Sequence, residues 1–377
     1  MEKVKTVVQK KKEQEMIKEV IQKYRSKLSP SLTRITRHSE AVKKQFVPSA
    51  FEALDFGTET PFEEGKNNHG IYGLERIYED RAVITPYFDC SAYCRYCFKK
   101  TRTLAGEAKE MSDADIEKAT QFIASDPRIR TVLITGGDPF INPYLLQKVL
   151  EQVAPIPHVR NIRIGTRNIL FKPETITTEL AKMIASYRSI NLTQPHLSRN
   201  VSIGLSINHV DELTPDVVNA YQKFIQEGVS VRGQVVLLKG INDRFQDIYN
   251  LVETFTCTGI VPYYLFHCMP VVGAKHFRTS VKKGLDILRT LSTYSGTTAL
   301  QYVYVTPIGK HRISPEHHLD YVTINDHRYI RAVTPYKESD FLAFSDNISL
   351  PPLHEVNEDG YIISHYLDGY DEEEAFV

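Results

Sequence analysis

Cys90-Ser91-Ala92-Tyr93-Cys94-Arg95-Tyr96-Cys97 places three thiols at a C-x3-C-x2-C spacing. It follows directly on Ala82 to Phe88, an apolar run whose Val, Ile, Tyr and Phe read as a half-buried strand. Three cysteines on one loop can bring three thiolates to one small metal centre, and no other cysteine lies near them in sequence to supply a fourth. A structural zinc site wants four protein ligands at paired spacings. A [4Fe–4S] cluster held by three cysteines keeps one iron open for a substrate or cofactor. The spacing favours the open-iron cluster; zinc and ordinary core cysteines are the alternatives.

Working outward, the same unit repeats. Apolar runs at 82–88, 131–135, 160–165, 201–207, 231–238 and 260–266 read as strands. Between them, helical periodicity occupies 112–125, 143–153, 173–187, 214–228 and 245–256, with another stretch at 281–294. Alternation of this kind implies parallel strands with right-handed crossovers, and six units make a partial α/β barrel, (β/α)6, rather than a full eight-fold one. In such folds the chemistry sits at the C-terminal ends of the strands, which is where the cysteine loop falls.

Residues 1–75 read as a helical extension and connector, 76–300 as the barrel, and 301–377 as a C-terminal segment and tail. The run Lys10-Lys11-Lys12 is interleaved with Glu13, Glu15 and Glu19, which marks a solvated helix face. Ser29-Pro30-Ser31 reads as a loop and a second helix start. Net charge is zero over 377 residues, so nothing draws the protein as a whole to nucleic acid or to an anionic membrane. There is no apolar stretch of transmembrane length and no signal-type segment at the start, and the five cysteines suit a reducing compartment. A cytoplasmic enzyme with a small-molecule substrate is expected.

Strand ends carry residues that packing alone does not demand. Thr135-Gly136-Gly137-Asp138-Pro139 follows the second strand, and its glycines would let backbone approach a ligand. Gly165-Thr166-Arg167 follows the third and Asn208-His209 the fourth, where a lone histidine is usually structural. Gln234 lies within the fifth strand, and Cys268-Met269 follows the sixth.

The cysteine loop with Phe98, the Gly-Gly-Asp-Pro turn, Arg163-Ile164-Gly165-Thr166-Arg167 and Asn208-His209 together resemble the lysine 2,3-aminomutase family of radical S-adenosylmethionine (SAM) enzymes. So do Gln234 to Asp243, Val261-Pro262-Tyr263-Tyr264 and His276-Phe277-Arg278-Thr279, in order, between about Pro61 and Tyr329. The resemblance implies a partial barrel of the TIM type binding a [4Fe–4S] cluster, SAM and pyridoxal 5′-phosphate (PLP). It implies that Cys90, Cys94 and Cys97 ligate the cluster, that Gly136, Gly137 and Asp138 hold the methionine end of SAM, and that Arg167 is also a cofactor residue. Tyr78 and Arg81 match residues that pack on PLP and bind its phosphate, and Gln234 one that lines its site. Lys310, after Thr306-Pro307-Ile308-Gly309, matches the lysine that forms the Schiff base with PLP, although the turn here is shorter and has one glycine. The implied reaction moves an α-amino group to the β-carbon, an isomerase chemistry begun by a 5′-deoxyadenosyl radical. A one-electron donor of the flavodoxin, ferredoxin or reductase type and a homo-oligomeric assembly are further implications.

Departures from the family concern the substrate. The two aspartates that bind the side-chain ammonium of lysine correspond to Met269 and Val305, so lysine is not expected as the substrate. The arginine that binds substrate carboxylate corresponds to Lys99, with Lys100 and Arg102 able to share its task. Arg188 to Asn200 looks like an insertion near the barrel rim. The C-terminal cysteine cluster by which some relatives bind zinc is missing, so assembly is expected to differ from theirs. Cys257 is expected as a buried free thiol and Asp371-Glu372-Glu373-Glu374 as a solvated acidic terminus. The competing readings are a radical SAM enzyme of the same fold without PLP, and an iron–sulfur electron carrier, against which the missing fourth cysteine speaks.

Overall fold

A computed structural model describes residues 7–54, 56–61, 68–103, 110–294, 300–314 and 316–371. Three helices come first: α1 (Val7–Lys23), α2 (Pro30–Ile35) and α3 (Glu40–Phe46). Ser29 and Ser39 cap α2 and α3 by accepting from the backbone N–H groups of Leu32 and Val42. A hairpin of β1 (Leu74–Tyr78) and β2 (Arg81–Tyr87) enters the barrel. The barrel continues as α4 (Lys100–Thr103), α5 (Asp113–Ser125), β3 (Thr131–Gly136), α6 (Pro143–Val153), β4 (Asn161–Thr166), α7 (Asn168–Phe171) and α8 (Thr178–Ser186). Then come β5 (Asn200–Ser206), α9 (Pro215–Gln226), β6 (Ser230–Leu237), α10 (Phe245–Cys257), β7 (Val261–His267), α11 (Val281–Leu291), β8 (Gln301–Thr306) and β9 (Gly309–Ile313).

These strands form one nine-stranded sheet in sequence order. The six expected units are present, and β8 pairs parallel to β7 as a seventh strand, while β1 and β9 flank the set antiparallel. β8 lies beyond the six expected strands: its apolar run, Tyr302 to Val305, is short and no crossover helix follows it. Side chains alternate between a helix-covered face and the barrel lumen. On β6, Val231, Val235 and Leu237 are buried on the covered face, where a Cβ at Gly233 would lie 2.4 Å from the ring of Phe255 in α10. Arg232 and Gln234 alternate with them and face the lumen. At the seam, the backbone N–H of Lys310 in β9 donates to Tyr78 Oη of β1 at 2.9 Å, bridging the two edges.

The chain then builds a second, antiparallel sheet from β10 (Asp320–Ile324), β11 (His327–Lys337), β12 (His354–Val356) and β13 (Tyr361–Leu367), with α12 (Glu338–Phe344) between β11 and β12. It is tied to the barrel by Arg278, which donates to the carbonyls of Cys268, Leu367 and Asp368, and by His267, which lies between Tyr366 Oη and Thr279 O at 2.9 and 2.8 Å. Asp371 is not a free solvated acid: it accepts from the backbone and hydroxyl of Ser280, which caps α11. Glu372 to Glu374 lie outside the described residues. Arg188 to Asn200 folds back through a Ser189–Arg199 bridge before the N-terminal end of β5, on the rim opposite the cysteine loop. Cys257, expected buried, is exposed, because it ends α10 one residue beyond the last inward turn.

In the turn after α3, one carboxylate joins the N-terminal segment to the cysteine loop. Glu52 has a fully buried side chain and is bonded by Arg95 in a two-armed pair, the shortest contact being 2.8 Å, and by Lys100. Burial alone would raise the Glu52 carboxyl, but Lys100 and Arg95 hold it below the usual carboxylate range. Arg95 also donates to the carbonyls of Tyr24 and Arg25, and its own N–H donates to Gln45 O at 2.8 Å.

Two outcomes follow from these packing contacts. Removing Glu52 strands two buried cations, so Glu52→Ala should cost about 3–5 kcal/mol in denaturant unfolding. Burial pushes His267 down to about 3 and His276 and His311 to about 4, so the native state excludes protons that an unfolded chain, titrating near 6.5, takes up. Stability is therefore full above about pH 6.5 and should fall steadily as pH drops toward 4, read as a declining urea midpoint; His267→Gln should flatten part of that decline.

Candidate active site

Cys90, Cys94 and Cys97 leave β2 on one loop; none of them is in a disulfide, and each residue is partly exposed. They share one neighbourhood: burial first, then Asp138, then Cys97 and Cys94 push the Cys90 thiol well up. Gly136 and Gly137 bring β3 against this loop. Gly137 donates to Tyr87 O and Asp138 to Asp89 O, both at 2.9 Å, and a Cβ on Gly137 would lie 2.1 Å from Asp89 O. The two glycines therefore serve close backbone packing as well as leaving backbone open to a ligand. The N-terminal segment clamps the other side: Tyr93 N–H donates to Lys27 O at 3.0 Å, and Lys27 Nζ donates to Asp89 and to Cys90 O at 3.1 and 2.7 Å. Three thiols on one rigid loop, with no fourth ligand beside them in sequence, fit an iron–sulfur cluster with one open iron. Among the described residues no three His, Cys, Asp or Glu side chains close on a single-ion site.

Asp138 turns its carboxylate inward. It accepts from Thr166 Oγ1 and from the N–H groups of Phe140, Arg167 and Asn168, and burial pushes it up to about 6 against those donors. What this turn can offer a ligand is the glycine backbone. Arg167 is buried beneath the loop, with Nη1 3.0 Å from Cys94 Sγ. His209 caps a turn, its Nδ1 accepting from Asp211 N–H.

Deeper in the lumen the second group of expected residues converges. Lys310 Nζ lies 4.4 Å from the centre of the Tyr264 ring and 5.2 Å from that of Phe266. Burial, then Arg163, Arg81 and Arg312, push its ammonium well below the ordinary lysine range. Arg81 stacks on Tyr78 at 4.6 Å. Gln234 and Arg163 meet over Gly204, where a Cβ would lie 2.2 Å from Gln234 Nε2 and 3.2 Å from Arg163 Nε. Arg163 and Arg232 both stack on Tyr263, at 4.9 and 5.1 Å. Among the described residues, the buried Nε atoms of Arg81, Arg163 and Arg232 have no hydrogen-bond partner. Such a cradle of cations and orphaned donors fits a phosphate, and a depressed lysine amine beside it fits a carbonyl-bearing cofactor such as PLP.

Arg163, Arg232 and Tyr263 were not singled out as site residues from the sequence. A signal existed: Arg232 shares the parity of Gln234 in an otherwise apolar strand, so it must face the lumen. Of the expected substrate residues, Met269 and Val305 are buried. Lys99 is buried too, its Nζ without a hydrogen-bond acceptor and 3.7 Å from Glu75 Oε1. Lys100 cannot share its task, because its ammonium is taken by Glu52 and the carbonyls of Arg95 and Gly273. The side chain of Arg102 lies outside the described residues.

Residues 84–252 match the family model of the Radical SAM superfamily. The L-lysine 2,3-aminomutase of Acetoanaerobium sticklandii is 30% identical over 348 residues, covering 88% of this chain and 80% of the relative. The glutamate 2,3-aminomutase of Clostridioides difficile is 33% identical over 306 residues, covering 79% and 69%. The structure of Streptococcus suis SuiB bound to S-adenosylmethionine superposes with a TM-score of 0.46 at 18% identity, over 60% of this chain and 50% of that one. With the cysteine loop and the two aminomutases in agreement, the chain belongs to the radical SAM family that includes the lysine and glutamate 2,3-aminomutases.

Proposed function

We propose that the protein is a radical SAM, PLP-dependent 2,3-aminomutase acting on an amino acid other than lysine. The observation that carries this reading is the lumen cradle, in which burial and the cations of Arg163, Arg81 and Arg312 hold Lys310 as a depressed amine, beside the orphaned Nε donors of Arg81, Arg163 and Arg232. Bound PLP would supply a conjugated system through which nitrogen can move between adjacent carbons, and SAM on the open iron would supply the hydrogen-abstracting radical. The chain supplies the rest. The three arginines neutralise the phosphate, Tyr78 fixes the backbone of Lys310, and the Tyr264 and Phe266 rings keep water from its amine. Lys99, whose buried ammonium faces Glu75 at 3.7 Å without a hydrogen bond, is the cation that would receive the substrate carboxylate.

Substrate choice follows from Met269 and Val305. A side-chain ammonium placed between them would be buried without a counter-ion, whereas an apolar or small side chain would gain by burial. Relatives named for lysine and for glutamate stand at similar identity, so likeness alone does not choose. A low-potential one-electron donor of the flavodoxin or ferredoxin type and a homo-oligomeric assembly complete the proposal.

Anaerobically reconstituted protein should take up PLP in a form that borohydride fixes to Lys310, and Lys310→Ala should show none. A SAM-responsive cluster with no PLP uptake would leave a radical SAM enzyme of another chemistry. Because its amine is depressed, Lys310 should remain reactive toward PLP at near-neutral pH, where ordinary lysines are protonated and slow. Arg163→Met and Arg232→Met should each weaken PLP binding by about 10- to 100-fold, the worth of one charged hydrogen bond, read as a dissociation constant by absorbance. In a panel of amino acids, apolar and small ones should be turned over and lysine should not.

A further inference from the structure

We propose that Arg167, positioned by Glu212 and by Gln45 of the N-terminal helix α3, sets the reduction potential of the cluster from the Cys94 side. Arg167 Nη1 lies 3.0 Å from Cys94 Sγ. Its other arm donates to Glu212 Oε2 at 2.9 Å and to Gln45 Oε1 at 2.8 Å, while Gln45 Nε2 donates to Glu212 Oε1 at 2.6 Å. Asn208 closes the group, donating through its side chain to Gln45 Oε1 and Tyr96 Oη and through its N–H to Glu212 Oε2. Gln45, Asn208 and Glu212 have no exposed surface.

Nη1 also donates to Tyr96 Oη, so both arms of the buried guanidinium are engaged. When the cluster accepts one electron from an external reductant it gains one negative charge and no bond is broken. A fixed cation against a ligand sulfur stabilises that reduced form, and water-free surroundings strengthen the effect. Glu212 works the other way, cancelling part of the Arg167 charge while holding it in place. The potential is then the balance of the pair, and Gln45 makes the N-terminal extension part of the redox centre. The inference rests on the cluster that the family implies and not on PLP.

The test is a reductive titration followed by electron paramagnetic resonance, on full-length reconstituted protein, with iron content measured first. Glu212→Gln should raise the potential by leaving Arg167 uncancelled. Arg167→Gln should lower it, and Arg167→Lys should return it toward wild type. A general loosening of the loop would move both glutamine variants in one direction, so shifts of the same sign, or none, overturn the proposal. If Arg167→Gln holds less iron than wild type, Glu212→Gln alone decides: an upward shift supports the proposal and an unchanged potential overturns it. Wild-type protein that binds no cluster overturns this proposal and the radical enzyme reading together, whereas a cluster with unshifted potentials overturns this one alone.

Discussion

One carboxylate cut off from water holds the cysteine loop to the rest of the molecule. Glu52 is paired with Arg95, which lies between two of the cysteines, and with Lys100, just past the third. Desolvating three charges is costly, and a hydrophobic packing of the same volume would often be at least as stable. What the ion triad contributes is direction. Each partner has fixed donors and acceptors, so the loop can take one conformation, and the thiols leave it with a defined spread. The N-terminal helices, which a reading by domain would set aside as an appendage, are on this account a wall of the site.

The barrel interior shows the opposite economy. The outer face of each strand is sealed by helices with Val, Ile and Leu, as at Val132, Ile134, Ile162 and Ile164. The inner face carries Arg81, Arg163, Arg232 and Lys310, and among the described residues none of the last three is ion-paired with a carboxylate. A cluster of like charges in a lumen destabilises the empty protein and is repaid when an anion enters. The fold tolerates it because the β-sheet ladders and the outer hydrophobic layer hold the strands independently of what fills the centre.

Much of this was legible from the residues. Period-two and period-3.6 hydrophobicity located six strands and their helices to within a few residues, because both faces of each element obey simple burial rules. The cysteine spacing stood out as chemistry without a packing reason, whereas Lys310 was marked only by the family resemblance. Less visible was anything that depends on residues far apart in the chain. Glu52 looks like an ordinary helix-turn acid until Arg95 and Lys100 arrive beside it. Asp138 looks like a ligand until Thr166 and Asn168 fill its oxygens. Lys100 looks like a spare cation beside Lys99, and only the fold shows that it is already spent. Arg163 and Arg232 lie on different strands, and their convergence on Tyr263 is a property of barrel closure.

The seam between β1 and β9 has a mechanical consequence. Elsewhere the wall is a continuous ladder, and a ladder fixes the circumference of a tube. Here, among the described residues, a phenol reaches across to one amide, and Gly309 packs on the same ring. The joint carries no strand ladder, and the residue on its β9 side, Lys310, turns its amine to the Tyr264 and Phe266 rings of the lumen. The closure of the wall and the position of the Lys310 amine thus depend on the same residue.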